Sequence, residues 1–317
     1  MYPNRPNIRK IGTIDCDLVE ITPVVFKGEL YRFEYFRARM RGDNFIRNHK
    51  NTKGPSYFRL INVRTNTIVS EFAEDHHMGC AYADGDTMYA VGITAGPESG
   101  GWGGDTVHFF RSTDLQNWEQ YSELHLPGWT LYNSGVCKMG DTYTLLLEII
   151  TPQEECGDSR GTFRFAQSKD MVNWEMTPWE CAFQRDRYSG APAIYTVEGD
   201  PHYYVFYLEE YPMECYATCV ARSKDLIHWE YSPLNPFLMY DDIGDKQIAS
   251  PFLTPSERER IRVARNVNDS DLEMCEYLGR TIMYYSWGDQ HGTEFLAEAC
   301  YEGPMKELLQ GFFPPEE

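Results

Sequence analysis

The chain has 317 residues, 42% of them apolar and 15% aromatic, which is enough to bury a substantial core and argues against disorder. Its 48 acidic against 29 basic residues give a formal net charge of −19, a surface that repels nucleic-acid phosphates and anionic lipid headgroups. Neither an 18-residue apolar run nor an apolar leader in "MYPNRPNIRKIG" is present, so the expectation is a cytoplasmic protein with no membrane or nucleic-acid partner, unless a signal peptide has been removed.

Strand signals dominate from one end to the other. A first hairpin is predicted in "TPVVFKGELYRFEYF" from Thr22, followed by a third strand in "SYFRLINVRT" near Ser56. A second hairpin falls in "GCAYADGDTMYAVGI" from Gly79 and a third in "SGVCKMGDTYTLLLEI" from Ser134. A fourth lies in "GAPAIYTVEGDPHYYVFYLEE" from Gly190 and a fifth in "DLEMCEYLGRTIMYYSWG" from Asp271, with a third strand near Thr293. The turns KG, DGD, GD, EGD and LG carry good hairpin chemistry. Helical signals are few. Ser256 and Glu259 in "SERERI" predict a capping box, and Met305–Gln310 predicts a second short helix. Pro233–Asn268 is too long for a simple connection and is expected to be an ordered loop over one face. Nine scattered cysteines with no CxxC pair read as buried, reduced thiols.

Between these hairpins a signature recurs. "RSTDLQNWEQ" at Arg111–Gln120, "QSKDMVNWEM" at Gln167–Met176 and "RSKDLIHWEY" at Arg222–Tyr231 align without gaps, and their serines Ser112, Ser168 and Ser223 are almost evenly spaced. Ser and Asp accept backbone N–H bonds in a turn, and the Trp is large enough to fill the space between adjacent sheets. Five hairpins on this period predict an all-β fold, a five-bladed β-propeller of four-stranded antiparallel blades, with residues 1–317 as one domain.

Such a fold turns sequence position into site position. The leading ends of first strands and trailing ends of second strands converge on one mouth of the central funnel. The leading ends carry Asp15, Asp17, Glu20, His76, His77, Asn133, Asp269, Asp271 and Glu273. The trailing ends carry Glu34, Glu148, Glu209, Glu210, Trp287, Asp289 and Gln290. Carboxylates with Trp, Asn, Gln and His suit a carbohydrate, whose hydroxyls bond acids and amides and whose CH faces stack on Trp. Paired carboxyls with separated pKa values are also the machinery of glycoside hydrolysis.

The repeats, strands such as "PHYYVFYLEE" and the stretch "NDSDLEMCEYLGRTIMYYSWGDQHGTEFLAEACYEG" resemble the five-bladed propeller glycoside hydrolases, and among them the arabinofuranosidase/xylosidase-like family 43. The likeness covers nearly the whole chain as a blade pattern. It implies glycosidase activity on a carbohydrate substrate, but the family's triad does not carry over. Thr22 stands where the family has a catalytic Asp, Asn133 where it has a tuning Asp, and Gly190 near its general-acid Glu. The motifs of the related invertase-like propellers are missing as well.

The expected mechanism therefore uses other acids. Glu20 or Asp17 is the base, Glu209 is the acid because it follows the apolar strand "YYVFYL", and Asp271 tunes or orients. Asp17, His77, Asn133, Glu148, Asp269, Trp287 and Gln290 are expected to bind the sugar. No cofactor and no transition-metal site are expected, while a funnel-bound cation such as calcium is compatible with the acids. A non-catalytic carbohydrate-binding propeller and a scaffold for protein partners are the alternatives.

Overall fold

The computed structural model describes residues 5–37, 56–94 and 103–315. After an N-terminal strand β1 (Arg9–Cys16), the chain forms four consecutive antiparallel meanders. The first is β2 (Thr22–Phe26), β3 (Glu29–Arg37), β4 (Ser56–Asn62) and β5 (Thr67–Phe72). The second is β6 (His76–Asp84), β7 (Thr87–Thr94), β8 (Thr106–Ser112) and β9 (Glu119–His125). The third is β10 (Thr130–Met139), β11 (Thr142–Thr151), β12 (Thr162–Ser168) and β13 (Glu175–Met176). The fourth is β14 (Ser189–Tyr195), β15 (Tyr203–Tyr211), β16 (Cys215–Ser223) and β17 (Glu230–Tyr231). Last come β18 (Asn268–Tyr277), β19 (Arg280–Gly288) and β20 (Glu294–Tyr301).

The hairpin turns have the backbone their sequences demand. Lys27 and Gly28 sit at φ 48° and 82°, and Leu278 and Gly279 at 52° and 75°, the doubly positive φ of a type I′ turn. The first strands β2, β6, β10, β14 and β18 contact one another in a closed cycle, β18 returning to β2. They line an axis, with the later strands of each meander outside them. The ring is closed by β1, which pairs antiparallel with β20 and so supplies the fourth strand of the last group from the start of the chain. The sequence reading had not assigned that partner. A single parallel pairing, Tyr216 with Asn268, joins this group to the fourth meander.

The repeated signature is architectural. Ser112 Oγ accepts from the Leu115 N–H at 2.8 Å, and Asp114 Oδ1 from Gln116 and Asn117 at 2.9 and 2.8 Å. Asp170 and Asp225 repeat the pattern. Each signature Trp stacks on a Phe of the preceding sheet: Trp118 on Phe72, Trp174 on Phe109, and Trp229 on Phe165. The turn thus fixes the outer hairpin while the indole buries the gap between sheets.

The segment between β17 and β18 holds the helix Pro255–Val263. Its cap is Thr254 with Glu257, not Ser256 with Glu259, because Pro255 occupies the first helical turn, where its missing N–H costs nothing. Glu259 instead pairs with Arg262. All nine cysteines are free, and all but Cys275 are buried. Among the described residues no helix is long and apolar enough to cross a membrane.

Candidate active site

A bulge recurs at the same place in four of the axial strands. An extra residue interrupts the pairing of β6, β10, β14 and β18 after His77, Leu131, Gly190 and Ser270 respectively. The residue that follows has positive φ in three of them: Met78 at 48°, Ala191 at 45° and Asp271 at 55°. Glu20, just before Thr22 at the start of β2, has the same conformation at 54°. Left-handed backbone at a non-glycine residue is costly and persists where the surroundings enforce it. Bulges re-aim side chains; the one in β18 and the left-handed residue ahead of β2 bring Asp271 and Glu20 to one place.

That place holds four carboxyls. Asn133 Nδ2 donates to Glu20 Oε1 at 2.6 Å and to Glu148 Oε2 at 3.0 Å, so a single amide nitrogen bridges the two acids. Tyr35 Oη donates to the other oxygen of Glu20. Glu148 also accepts from the Ala191 N–H at 3.0 Å and from Tyr188 Oη at 3.4 Å. Glu148 is buried, Glu20 and Asp271 are half-buried, and Ser270 Oγ donates to Asp271 at 2.8 Å. Glu273, further along β18, adjoins both the cluster and an axial cavity of about 300 Å3 below it.

Burial raises the carboxyls. Glu148 is pushed up to about 7 by burial, against the bond from Asn133 and with the Glu20 charge adding to the rise. Asp271 is raised to about 8 by burial and then by Glu20, and Glu273 to about 8 by burial, with Glu20 and Asp271 adding to it against a bond from Thr22. Glu294, at the start of β20, is also lifted well above the carboxylate range by burial and by Asp271. Among the described residues no Lys or Arg forms an ion pair with Glu20, Glu148, Asp271 or Glu273. At neutral pH the site therefore keeps protonated acids beside Glu20, both of whose oxygens accept hydrogen bonds. A proton donor and an acceptor carboxyl share one half-open place.

The ring of four-stranded sheets has solved counterparts. An α-L-arabinofuranosidase from Podospora anserina matches with a TM-score of 0.58 over 92% of each chain, at 8% identity. The catalytic domain of a GH62 α-L-arabinofuranosidase from Coprinopsis cinerea matches at 0.53 over 90% of each chain, at 9% identity. A GH43 protein from Bacillus licheniformis matches at 0.57 and 11% identity, over 92% of this chain and 54% of that one. The fold is that of the propeller glycoside hydrolases. No family model and no curated protein matches the sequence.

Of the site residues expected in a propeller glycosidase, Glu20, Asn133, Glu148 and Asp271 come together, and Gln290 adjoins them through Ser270 Oγ at 3.5 Å. The other expected residues are engaged by different partners. Trp287 is fully buried, stacked on Phe295 at 4.4 Å with its Nε1 donating to Thr13 Oγ1, so it offers no face to a sugar. Asp269 is buried against Lys10 Nζ at 2.6 Å, a lysine it shares with Asp245. Asp17 is held by both terminal nitrogens of Arg260. His77 is buried within β6 opposite Ile93. Glu209 accepts from Arg187 Nε at 3.0 Å and from Gln184 and Tyr207 at 3.3 Å, all within residues 184–209. Glu34, which shares the strand-end position of Glu148, is enclosed by Arg32 and Arg59. Tyr35 was missed by the sequence reading, although it follows Glu34 on the strand that trails to the mouth.

Among the described residues no three His, Cys, Asp or Glu converge as a metal-ligand set. At the acid cluster, N–H donors of Asn133 and Ala191 point at the oxygens a calcium ion would need.

Proposed function

We propose that the protein is a five-bladed propeller glycosidase that cleaves a glycosidic bond of an oligosaccharide at the axial acid cluster. The observation that carries this reading is the single Asn133 amide bridging Glu20 and Glu148 beside Asp271, with protons rather than cations neutralising the acids. Glu20 serves as base or nucleophile and half-buried Asp271 as the proton donor. Glu148 lies beneath and tunes Glu20 through Asn133. Gln290 and Tyr188 border the sugar. Glu209 and Asp17 are left out of the chemistry, since each already faces an arginine. The five blades are β2–β5, β6–β9, β10–β13, β14–β17, and β18–β20 with β1.

An acid that donates only while protonated loses activity as it titrates. The alkaline limb of the pH–rate profile is thus expected near 8, where Asp271 releases its proton. A panel of aryl glycosides and oligosaccharides, turned over by the wild type, Glu20→Gln, Asp271→Asn and Glu209→Gln, tests the assignment. The first two variants should lose roughly 100-fold or more in rate, the scale of general acid–base catalysis, while Glu209→Gln stays near wild type. Full activity in both Glu20→Gln and Asp271→Asn would sink the assignment.

One observation favours a second reading, a carbohydrate-binding propeller without catalysis. Thr22 stands where the resembling family carries its catalytic Asp. Oligosaccharide binding by calorimetry with no turnover between about pH 5 and pH 9 selects that reading, because the proton donors span this range.

A further inference from the structure

The axial cavity of about 300 Å3 opens on the face of the ring opposite the acid cluster. Asn133 and Asp271 stand toward the leading ends of β10 and β18, whereas the cavity entrance is formed at trailing ends. Ala83 of β6, Lys138 of β10, Thr196 just after β14 and Glu276 of β18 stand there with Met305, all half-buried or exposed. Inward of the entrance the lining is mainly apolar, with Val24, Val136, Ile194 and Met274. The inner end is Glu273, three residues before Glu276 on the same strand, a span of about 10 Å. Sites for small molecules have this character: apolar walls and a few polar groups that fix the ligand.

Charge selects the ligand. Lys138 pairs with Asp84 at 2.6 Å, so the basic group at the entrance is already neutralised. At the inner end the Glu273 carboxyl accepts a bond from Thr22, and among the described residues no Lys or Arg forms an ion pair with it. A buried carboxyl is neutralised by a proton or by a cation, and the net charge of −19 draws cations to this protein. A calcium ion does not suit the cavity. It takes about six or more oxygen ligands, and among the described residues no three His, Cys, Asp or Glu converge. An ammonium group on a hydrocarbon body satisfies both the carboxyl and the aliphatic walls. We propose that the axial cavity is a second binding site, separate from the acid cluster, for a small primary amine whose ammonium pairs with Glu273 and whose hydrocarbon part extends toward Glu276.

Such an amine competes with a proton. Glu273 faces Glu20 and Thr22 at β2, Cys80 of β6, Tyr195 of β14 and Asp271 on its own strand, with Tyr284 of β19 as its register partner. Burial keeps Cys80, Tyr195 and Tyr284 protonated, and raises both Glu273 and Asp271 to about 8. An alkylammonium keeps its own proton to about pH 10, as lysine does. Amine binding therefore strengthens as pH rises through about 8.

Calorimetry with n-butylammonium, butanol and butyrate between about pH 6 and pH 9 tests this. The amine should bind roughly 10-fold or more tightly than either analogue, the scale of a hydrogen bond to a charged group. Glu273→Gln keeps the shape and should lose that factor and the pH dependence while retaining the wild-type circular dichroism. Ala83→Trp narrows the entrance without touching an acid, and should also weaken binding. Asp271→Asn should still bind the amine at the alkaline end. The site does not depend on turnover, so a protein that cleaves no glycoside would still show it. Butanol binding as tightly as the amine, or no binding of the amine by the wild type, overturns the proposal. So does binding that survives Glu273→Gln and vanishes in Asp271→Asn, because the amine then sits in the acid cluster.

Discussion

Two sets of buried carboxyls sit in this ring, and they are neutralised by different means. At the seam between the first and last sheets, Asp15 of β1 meets Arg32 at 2.8 Å, and Glu34 of β3 is shared by Arg32 and Arg59. At the axis, Glu148, Asp271 and Glu273 meet amides, hydroxyls and one another. Burial of a charge is costly in both places. Arginine answers that cost permanently, since guanidinium does not lose its proton in proteins. The seam is therefore locked as a set of ion pairs. The axis answers with protons, which leave and return, so the axis keeps groups that can do chemistry.

The largest loss is expected where the permanent partner is removed. Arg32→Met takes the Arg32 guanidinium away from both Asp15 and Glu34. Removing one member of a buried ion pair costs about 3–5 kcal/mol, and the loss should show in the urea unfolding midpoint. An unchanged midpoint would mean that the seam network contributes nothing to closure of the ring.

At the axis the corresponding test is pH. Glu148 has a folded-state value of about 7 against an ordinary 4.5, so the folded protein binds the proton more tightly than the unfolded chain. Its contribution to stability is full below pH 4.5 and is lost as pH rises through about 7, a change on the order of 3 kcal/mol. Asp271 and Glu273 act in the same direction. Glu148→Gln keeps the shape and removes the titration. Its urea midpoint should fall less than the wild-type midpoint between pH 5 and pH 8. Equal slopes would place Glu148 outside the proton-neutralised set.

Asn133→Asp makes a finer change. It replaces the one donor shared by Glu20 and Glu148 with a third acid of the same shape. Losing a buried donor to two acceptors costs about 1–3 kcal/mol. The loss should be larger at pH 8 than at pH 5, because at low pH the new acid is itself protonated and can donate to one of its neighbours. Urea titrations at the two pH values read this directly, and a pH-independent loss would show that the amide only fills space.

The outer architecture was legible because its chemistry is local. Ser112, Asp114 and their bonded N–H groups all lie within the one turn 112–117, and the Trp recurs at a fixed distance from them. Ring closure was not legible, since β1 finds β20 almost a chain length away. The site was half legible. Glu34 and Glu148 both end apolar strands, and only neighbours tell them apart. Arg32 lies just before Glu34, on the same face of a period-2 strand, and that was a usable signal. The bulges were not written in any period. Without the extra residue in β18, Asp269 and Asp271 share a face and look equivalent. With it, Asp271 turns to the axis while Asp269 stays buried on Lys10. Trp287 closes the run "MYYSW", and its own strand takes it into the core.

At Asp84 the pH dependence has the opposite sign and a small size. Asp84, at the end of β6, pairs with Lys138 of β10 at 2.6 Å and accepts from Tyr143 Oη at 2.5 Å. Those two bonds, from Lys138 and then Tyr143, hold its carboxyl below the usual range. A depressed acid contributes stability above its unfolded value and loses it as pH falls, the opposite of Glu148. The pair is about a third exposed, so solvent screening limits it to roughly 0.5–1 kcal/mol. Lys138→Met should lower the urea midpoint slightly at pH 8, with the difference shrinking below about pH 4 as Asp84 takes up its proton. One acid stabilised by a cation and another by a proton, on β6 and β11, would then respond to the same pH change in opposite directions. A Lys138→Met loss that instead grew on acidification would show that the lysine acts through packing against the Tyr143 ring, 4.6 Å away, rather than through the charge it gives Asp84.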